Sequence, residues 1–564
     1  MLLLISLLFL VTPKGRLTSA GLYVFLSRWS NVLLLATVVG QSTPAIAQQL
    51  PLTRLWDHTY GGSGNSQDEP ASLVPTADGG CLVGGSSVSG ISGTHSQTAE
   101  GARDYWLIKL SAQGVQQWDQ RFGGSGEDRL AVVRPTTDGG YLLGGTSYSQ
   151  YSSGDKSENN WGTDDFWVVK TTSTGIKVWD KTLGTFSSDQ LHDLVETDDG
   201  GYLLAGETND NGTGNYDFYL VKITAEGKRQ WDVHYGGAQH DELRVIRRTA
   251  DHGFLLAGTS ASTTGMDKTQ PSRGGQDYWV VKVNQFGIKE WDRTYGGPGN
   301  DVLSSMQLTP DGGFILGGTS TSEAGGEKSQ ASRGGKDMWV VKVNVAGTVD
   351  WDRRFGGDLE ENLAAIQPVA GGFLLGGSSW SGSGGDKAQP NWGYCDYWLL
   401  RVDEQGSLEW ERRYGGESID MLNAVTLLAD GSCLVAGSST SSGLPALGDK
   451  TQYNYGFVNF WVLKMAAVLP LKSTEPRWAR LVSVFPVPAS SSLHVVLPPL
   501  PNASSATLSL IDALGRVVLV HPVSVPMTPS AEVTLPVAQL PAGSYLLRME
   551  VTGQTPLLRR IWVQ

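Results

Sequence analysis

Residues 277–297, DYWVVKVNQFGIKEWDRTYGG, contain the pattern that decides the fold. The run from Asp277 to Lys282 is rich in aromatic and β-branched residues, which is typical of a β-strand. Gly287 can adopt the positive φ of a tight turn, and the stretch that begins at Trp291 predicts a second, antiparallel strand. This part of the chain is therefore a predicted β-hairpin.

The same hairpin recurs along the chain. A Trp-Asp pair, replaced once by Trp-Glu, occurs seven times at intervals of about 60 residues, with one shorter step. An Asp-Gly-Gly turn such as Asp311-Gly312-Gly313 predicts a further hairpin within the repeat. The tryptophans of the pairs are Trp56, Trp118, Trp179, Trp231, Trp291, Trp351 and Trp410, and the counterparts of Trp279 are Trp106, Trp167, Tyr219, Trp339, Trp398 and Trp461.

Each repeat holds about four short strands, which are too few to bury their own apolar faces, so neighbouring repeats must pack face to face. The sequence predicts an all-β fold, a seven-bladed β-propeller of four-stranded blades followed by a small C-terminal β-sandwich. The first strand, within residues 52–60, is predicted to complete the blade that ends near Met465, because this pairing closes the ring and removes exposed sheet edges. An open solenoid would need polar end caps, which the sequence lacks.

Composition agrees with this fold and excludes one class of partner. The chain has 564 residues with 72 Gly, 19 Trp and only 18% charged residues, as expected for turn-rich β-structure. A net charge of −13 with dispersed basic residues gives no surface for phosphate backbones, so no nucleic acid partner is expected. The three cysteines form neither a disulfide framework nor a metal-ligand spacing.

The chain divides into four predicted segments. Residues 1–47 resemble a secretory signal peptide, with Arg28 before an apolar run and Ala45-Ile46-Ala47 as the cleavage pattern. The propeller is predicted over residues 51–466, a Pro- and Ser-containing linker over 467–481, and the C-terminal domain over 482–564.

Three short motifs characterise the C-terminal segment: Pro486-x-Pro488, Asp512-x-x-Gly515-Arg516 and Gly543-x-Tyr545. In this combination they resemble the C-terminal sorting domain of the type IX secretion system of Bacteroidota, which more often has Asn where this chain has Val487. The resemblance implies contact with the type IX secretion machinery and a secreted or outer cell-surface location, with release or attachment at the outer membrane. An ordinary β-sandwich accessory domain is the alternative.

Two sets of residues are candidates for ligand binding on one predicted face of the propeller. The first is a set of acids that follow the Gly-Gly pairs, namely Asp128, Asp241, Asp301 and Asp420. These acids suggest a ring around the channel mouth that could hold calcium, or else each one caps the next inner strand. The second is a set of loop aromatics, Tyr148, Trp161, Trp380, Trp392, Tyr394 and Tyr453, which either stack on a ligand or cover the blades.

A recurring acid-lysine pair in the same loops, as in Asp267-Lys268, is predicted to fix the shape of the loop. Exposed ion pairs contribute little free energy, so a larger role is not expected. The pair is absent from the first and third repeats. The loop, the Trp-Asp pair and the sorting motifs together resemble repeat-bearing surface proteins of Bacteroidota, a family with no established activity to transfer. The hairpin alone also looks like the repeats of pyrroloquinoline-quinone propellers.

The sequence favours an exported binding protein with a glycan or protein ligand. Neither a nucleophile elbow nor a metalloprotease motif occurs, and His192, His234, His240 and His252 are scattered, so no catalytic residue, metal ligand or cofactor is predicted beyond the calcium already considered. One alternative is a polysaccharide-processing enzyme with an acidic site at the channel mouth. Another is a structural surface-layer component, suggested by the uniform repeats.

Overall fold

The computed structural model describes residues 53–209, 214–443, 448–466, 482–485, 489–497, 505–512, 516–524, 531–551 and 557–564. The predicted export segment and the predicted linker lie outside these residues. All regular structure in the described residues is β-strand, and none of it is a helix. In this part of the chain no helix is long and apolar enough to cross a membrane.

The repeats form 28 strands in chain order. Blades 1 to 6 each contain four consecutive strands, starting with β2–β5 and ending with β22–β25, whereas blade 7 contains β26–β28 and β1. The strands are β1 Arg54–Tyr60, β2 Gly64–Pro75, β3 Cys81–Ser87, β4 Asp104–Leu110, β5 Gln116–Phe122, β6 Asp128–Pro135, β7 Tyr141–Ser147, β8 Asp165–Thr171, β9 Lys177–Leu183, β10 Asp189–Glu196, β11 Tyr202–Thr208, β12 Asp217–Ile223, β13 Arg229–Tyr235, β14 Asp241–Arg248, β15 Phe254–Ser260, β16 Asp277–Val283, β17 Lys289–Tyr295, β18 Asp301–Leu308, β19 Phe314–Ser320, β20 Asp337–Val343, β21 Val349–Phe355, β22 Glu361–Val369, β23 Gly372–Ser379, β24 Asp396–Asp403, β25 Leu408–Tyr414, β26 Asp420–Leu427, β27 Cys433–Ser439 and β28 Gly456–Met465.

The blades close into a ring, as predicted. The innermost strands β2, β6, β10, β14, β18, β22 and β26 contact one another in turn, and β26 contacts β2. Strand β1 pairs antiparallel with β28, with Tyr60 opposite Phe460 and Asp57 opposite Leu463. The N-terminal strand therefore supplies the outer strand of the last blade, which confirms the predicted closure and joins the two ends of the repeat array.

The core lies between adjacent blades. The second and third strands of each blade are almost continuously buried, and the third-strand tryptophans, such as Trp167 and Trp279, are fully buried. Some contacts between blades are polar: the Tyr278 hydroxyl donates to the Trp339 carbonyl at 3.0 Å. Burial of large aromatic side chains between sheets is the main source of stability in such a ring.

The recurring Trp-Asp pair has two structural roles. Its acid bonds the loop above: Asp292 Oδ2 accepts from the Thr269 amide at 2.9 Å and from the indole of Trp279 at 3.1 Å. Its tryptophan packs at the edge of the blade, where Trp291 is only partly buried. The space between sheets is filled by the third-strand aromatics, because they stand at the centre of the blade.

The C-terminal segment is a β-sandwich, as predicted. Its three-stranded sheet has the order β29-β30-β33 and its four-stranded sheet the order β32-β31-β34-β35, and both sheets contribute to one apolar core. The strands are β29 Ser483–Phe485, β30 Ser492–Leu497, β31 Ser505–Ile511, β32 Val517–Ser524, β33 Ala531–Pro536, β34 Gly543–Val551 and β35 Leu557–Val563.

Candidate functional site

One face of the propeller is built from two kinds of connection. The loops between the second and third strands of each blade meet the segments that cross from one blade to the next: the Asp155 amide donates to the Gly123 carbonyl at 2.8 Å, and the Asp386 amide to the Gly356 carbonyl at 3.0 Å. We call this side the loop face. The opposite side carries the short turns, such as that around Gly287.

The predicted aromatic residues lie on the loop face, in three blades. Trp161, Tyr394 and Tyr453 are 60%, 74% and 64% exposed, and Tyr148, Trp392 and Trp380 are less so. Tyr148 and Trp161 belong to blade 2, Trp380, Trp392 and Tyr394 to blade 6, and Tyr453 to blade 7. The structure therefore groups the residues of blades 6 and 7, which are neighbours, and separates them from those of blade 2.

Trp392 is held in a fixed orientation at the boundary between blades 6 and 7. The Arg413 guanidinium lies over its ring at 4.4 Å from the centroid, within cation–π distance. Its indole N–H donates to Asp449 Oδ2 at 3.1 Å, and Arg413 also pairs with Asp449 at 3.3 Å. Because the tryptophan is 49% exposed, it presents an oriented aromatic surface to solvent.

The four predicted acids occupy a different environment. Asp128, Asp241, Asp301 and Asp420 are fully buried inside their blades. Asp241 Oδ2 accepts from the Gly237 amide at 2.7 Å and from the Ser262 hydroxyl at 2.8 Å, and the other three repeat this pattern. The structure thus places these carboxylates in structural positions, where they bond the segment before each inner strand, and not on a ligand-facing surface.

The acid-lysine loops are also structural. Lys268 is 2% exposed, and its ammonium donates to Ser260 Oγ at 2.6 Å and to Ser272 Oγ at 2.9 Å. Burial lowers the pKa of Lys268 to about 8, while the nearby carboxylates of Asp241 and Asp277 oppose that shift. Burial raises the pKa of Asp277 to about 7. Each such loop is therefore closed over its blade by a buried lysine between carboxylates, which agrees with the predicted role in loop shape.

The ring encloses a central cavity of about 740 Å³. All seven innermost strands contribute to its wall, but they contribute unequally. The lining residues from blades 1, 5, 6 and 7 are uncharged. The charged or titratable ones come from blades 2, 3 and 4: Arg134, His192, Asp193, Arg244 and Arg247. The channel therefore has one charged side, although the blades share one repeat.

Asp193 forms ion pairs with two of these arginines. It lies 2.5 Å from Arg134 and 2.8 Å from Arg247, and the two partners come from the blades on either side. These contacts hold the pKa of Asp193 below its usual value against the effect of burial. The ion pairs of Asp193 with Arg134 and Arg247 therefore link blades 2, 3 and 4 along the channel wall.

A second cluster, formed by His192, Glu207 and Glu242, has unsatisfied polar atoms. One ligand-type atom from each residue lies within 4.8 Å of the other two, and His192 Nε2 is 3.7 Å from Glu207 Oε1. Among the described residues, neither His192 Nε2 nor Glu207 Oε2 has a hydrogen-bond partner. Burial lowers the pKa of His192 to about 3 and raises the pKa of Glu207 to about 7.

The fourth member of this region is Arg244. Its guanidinium donates to His192 Nδ1 at 3.3 Å and forms an ion pair with Glu242. In the sequence His192 is one of the scattered histidines, and the sequence does not predict this cluster. The signal that could have found it is departure from the repeat: His192 stands where blades 2 and 6 have Ala131 and Ala364, and Glu207 where blades 2 and 4 have Thr146 and Thr259.

The structure describes some residues of the predicted sorting motifs. The Arg516 amide donates to Asp512 Oδ1 at 2.9 Å and the Arg516 guanidinium donates to Asp512 Oδ2 at 2.8 Å. The Tyr545 hydroxyl donates to the Pro541 carbonyl at 2.8 Å. Gly543 begins β34. Pro486, Pro488 and Gly515 lie outside the described residues.

Comparison with known families identifies the C-terminal domain. Residues 483–564 match the family described as the secretion system C-terminal sorting domain. The chain therefore carries a type IX sorting domain, interacts through it with the type IX secretion machinery, and is exported to a secreted or cell-surface location. This match covers the tail, and the propeller lies outside it.

Comparisons that include the repeats are more distant. The chain is 23% identical over 291 residues to the regulatory protein FlaEY of Caulobacter vibrioides, which covers 45% of this chain. It spans only 29% of the length of that protein.

Among solved structures, puromycin hydrolase aligns over 79% of this chain and 62% of its own, with 13% identity and a TM-score of 0.40. A mutant of the Synechocystis apocarotenoid oxygenase aligns over 73% of this chain and 97% of its own, with 9% identity and a TM-score of 0.34.

Proposed function

We propose that the protein is an exported binding protein whose propeller engages an extracellular glycan or protein through the loop face. One observation carries the proposal: exposed aromatic side chains of the propeller are concentrated on that face. Tyr148, Tyr151, Trp161, Phe186, Trp392, Tyr394, Tyr453, Tyr455 and Phe457 all lie there, in loops or at a strand end, whereas Phe286 is the exposed aromatic of the opposite face in the described part of the propeller.

Such side chains are costly to leave in water and well suited to binding. An aromatic ring buries a large apolar area on contact and stacks on the apolar face of a sugar, while a tyrosine hydroxyl or indole N–H adds a directed hydrogen bond. Tyr394 and Trp392 are close in sequence in the blade 6 loop, and Arg413 and Asp449 already orient Trp392. Pre-orientation lowers the entropic cost of binding, which favours blades 6 and 7 as the centre of the surface.

The purified mature protein is first screened against an array of extracellular polysaccharides and used in a pull-down with extracellular proteins. The affinity of each ligand that is found is then measured. A variant with Trp392→Ala, Tyr394→Ala and Tyr453→Ala removes three exposed rings. We expect its affinity to fall at least about tenfold, because central aromatic contacts each contribute on the order of 1 kcal/mol or more.

Phe286→Ala is the matched control, since it removes an exposed ring from the opposite face. Its affinity should equal that of the parent protein. Equal losses in both variants, or undiminished binding after all three loop-face substitutions, would contradict the assignment of the ligand surface. Self-assembly of the purified protein in place of any ligand binding would favour the surface-layer alternative over this proposal.

A further inference from the structure

The cluster of His192, Glu207 and Glu242 is a departure from the repeat that costs stability unless something compensates it. Glu207 is 5% exposed, and a buried carboxylate without a full set of hydrogen bonds is unfavourable. In other blades the equivalent hydroxyl has a structural role: the Leu303 amide donates to Thr259 Oγ1 at 3.0 Å. Glu207 lacks this hydroxyl, and its Oε2 has no hydrogen-bond partner in the described residues.

The three side chains converge from two blades. His192 comes from β10 and Glu207 from β11 of blade 3, whereas Glu242 comes from β14 of blade 4. Their ligand-type atoms all lie within 4.8 Å of one another. Ligand atoms at about 2.0–2.2 Å from a tetrahedral zinc are roughly 3.3–3.6 Å apart, and the 3.7 Å between His192 Nε2 and Glu207 Oε1 is close to this spacing. The Glu242 oxygen lies within 4.8 Å of the other two ligand atoms, so it needs to move by no more than about 1.5 Å.

The charge of the cluster also suits a cation. Two glutamates and one arginine leave one net negative charge when both glutamates are ionised and the imidazole is neutral. Arg244 pairs with Glu242 and donates to His192 Nδ1, so binding of a cation through His192 Nε2 requires the guanidinium to move away and the imidazole proton to reside on Nδ1. The Arg244 side chain is 39% exposed and lines the channel, which gives it room for this movement. The remaining side of the cluster borders the cavity, because His192 and Arg244 line it.

We propose that His192, Glu207 and Glu242 form a binding site for a divalent transition-metal ion of the Zn²⁺ class at the wall of the channel. One imidazole and two carboxylates are ligands that Zn²⁺ accepts, and three protein ligands leave one coordination position open toward the cavity. Ca²⁺ requires six to eight oxygen ligands, which these residues do not supply. The site is separate from the loop-face aromatics, so it stands independently of the proposed ligand surface.

The repeat itself supplies variants that should fold. Glu207→Thr restores the residue of blades 2 and 4, and His192→Ala restores that of blades 2 and 6. Protein without an affinity tag, stripped with chelator and dialysed, is titrated with Zn²⁺, Mn²⁺ or Ca²⁺ by calorimetry, and bound metal is counted by mass spectrometry. We expect one equivalent of Zn²⁺ per parent chain, and at least an approximately 100-fold weaker affinity in each variant, because even loss of an outer partner costs 10–100-fold.

His234→Ala and Glu226→Gln are the controls, since both remove exposed groups near the same blade. They should leave the Zn²⁺ stoichiometry and affinity unchanged. Thermal unfolding of the metal-free variants checks that each still folds, and Co²⁺ substitution reports tetrahedral coordination in the parent protein. A parent protein that takes up no Zn²⁺, that binds only Ca²⁺, or that binds Zn²⁺ as tightly after folded Glu207→Thr substitution would overturn the proposal.

Discussion

Blades 3 and 4 are neighbours built from the same repeat, yet their interiors differ. In blade 4, Lys268 closes the loop over buried Asp241 and Asp277, and Trp279 donates to Asp292. Blade 3 has no acid-lysine pair, and its connection between the second and third strands spans residues 209–216, against 261–276 in blade 4.

The polar contacts of blade 3 are correspondingly rearranged. Tyr219 takes the place of the tryptophan, and its hydroxyl donates to Asp232 at 3.3 Å and accepts from Arg229 at 3.0 Å. Glu207 takes the place of a hydroxyl that bonds the next blade. The difference teaches that the repeated charges fix each loop to its own blade, whereas the blade that lacks them has polar side chains available for another purpose.

The largest expected effect comes from removing the lysine of blade 4. Lys268→Ala leaves Asp241 and Asp277 buried without their cation, which should lower the free energy of unfolding by about 3 kcal/mol. Denaturant unfolding of the purified protein measures this change. Lys228→Ala, at an exposed turn, should alter stability by less than about 0.5 kcal/mol. A loss below about 1 kcal/mol in Lys268→Ala would show that the buried charges are not coupled.

A second effect concerns pH. Because the folded-state pKa of Asp277 is raised to about 7, this group stabilises the fold fully below the unfolded value of about 4 and loses that contribution as pH rises through 7. Asp277→Asn reproduces blade 7, which has Asn459 at this position. We therefore expect the free energy of unfolding of the variant to increase relative to that of the parent protein as the pH rises from 4 to 8.

The control for this pH dependence is Asp251→Asn. The pKa of Asp251 is lowered to about 2 by its hydrogen bonds to Thr249 and Lys282, so its contribution is present above about pH 4 and is lost below that. The difference in free energy of unfolding between the Asp251→Asn variant and the parent protein should stay constant from pH 5 to pH 8. If the difference in free energy of unfolding between Asp277→Asn and the parent protein also stayed constant over this pH range, the raised pKa of Asp277 would be disproved.

The smallest expected effect is a gain in stability. Met266 has φ of 51°, a left-handed conformation, where blades 2, 5 and 6 have Gly154, Gly326 and Gly385 at φ of 55° to 60°. Met266→Gly relieves this strain and should raise the free energy of unfolding by about 1 kcal/mol. Met266→Ala keeps the strained backbone and should bring no gain. Equal effects of the two substitutions, measured by thermal unfolding, would attribute any change to the exposed side chain instead.

Most of the fold could be predicted because it rests on local, repeated signals. Gly287, Trp291 and their counterparts mark strands and turns at a regular interval, and the isolated first strand indicated how the ring closes. The roles within each blade were harder to predict. The Trp-Asp tryptophan and the third-strand tryptophan have the same residue type, and only packing shows that Trp279 is central and Trp291 peripheral.

The candidate sites show the same limit. Loop position correctly placed Trp392 and Tyr394 at the surface, since loops that carry exposed aromatics can be recognised locally. It could not show that Asp128 and Asp241 point into the blade, because a carboxylate that caps a strand and one that binds a ligand occupy the same position in the sequence.

The sequence by itself determined the number of blades, their strand pattern, the closure of the ring and the presence of a sorting domain, since each depends on residue order over short distances. The tertiary structure alone decided which polar groups meet. His192 and Glu207 are brought together by the pairing of β10 with β11, whereas Glu242 joins them because ring packing sets both strands against β14. Contacts between blades depend on how whole sheets pack, and a repeat that is read one copy at a time does not contain that information.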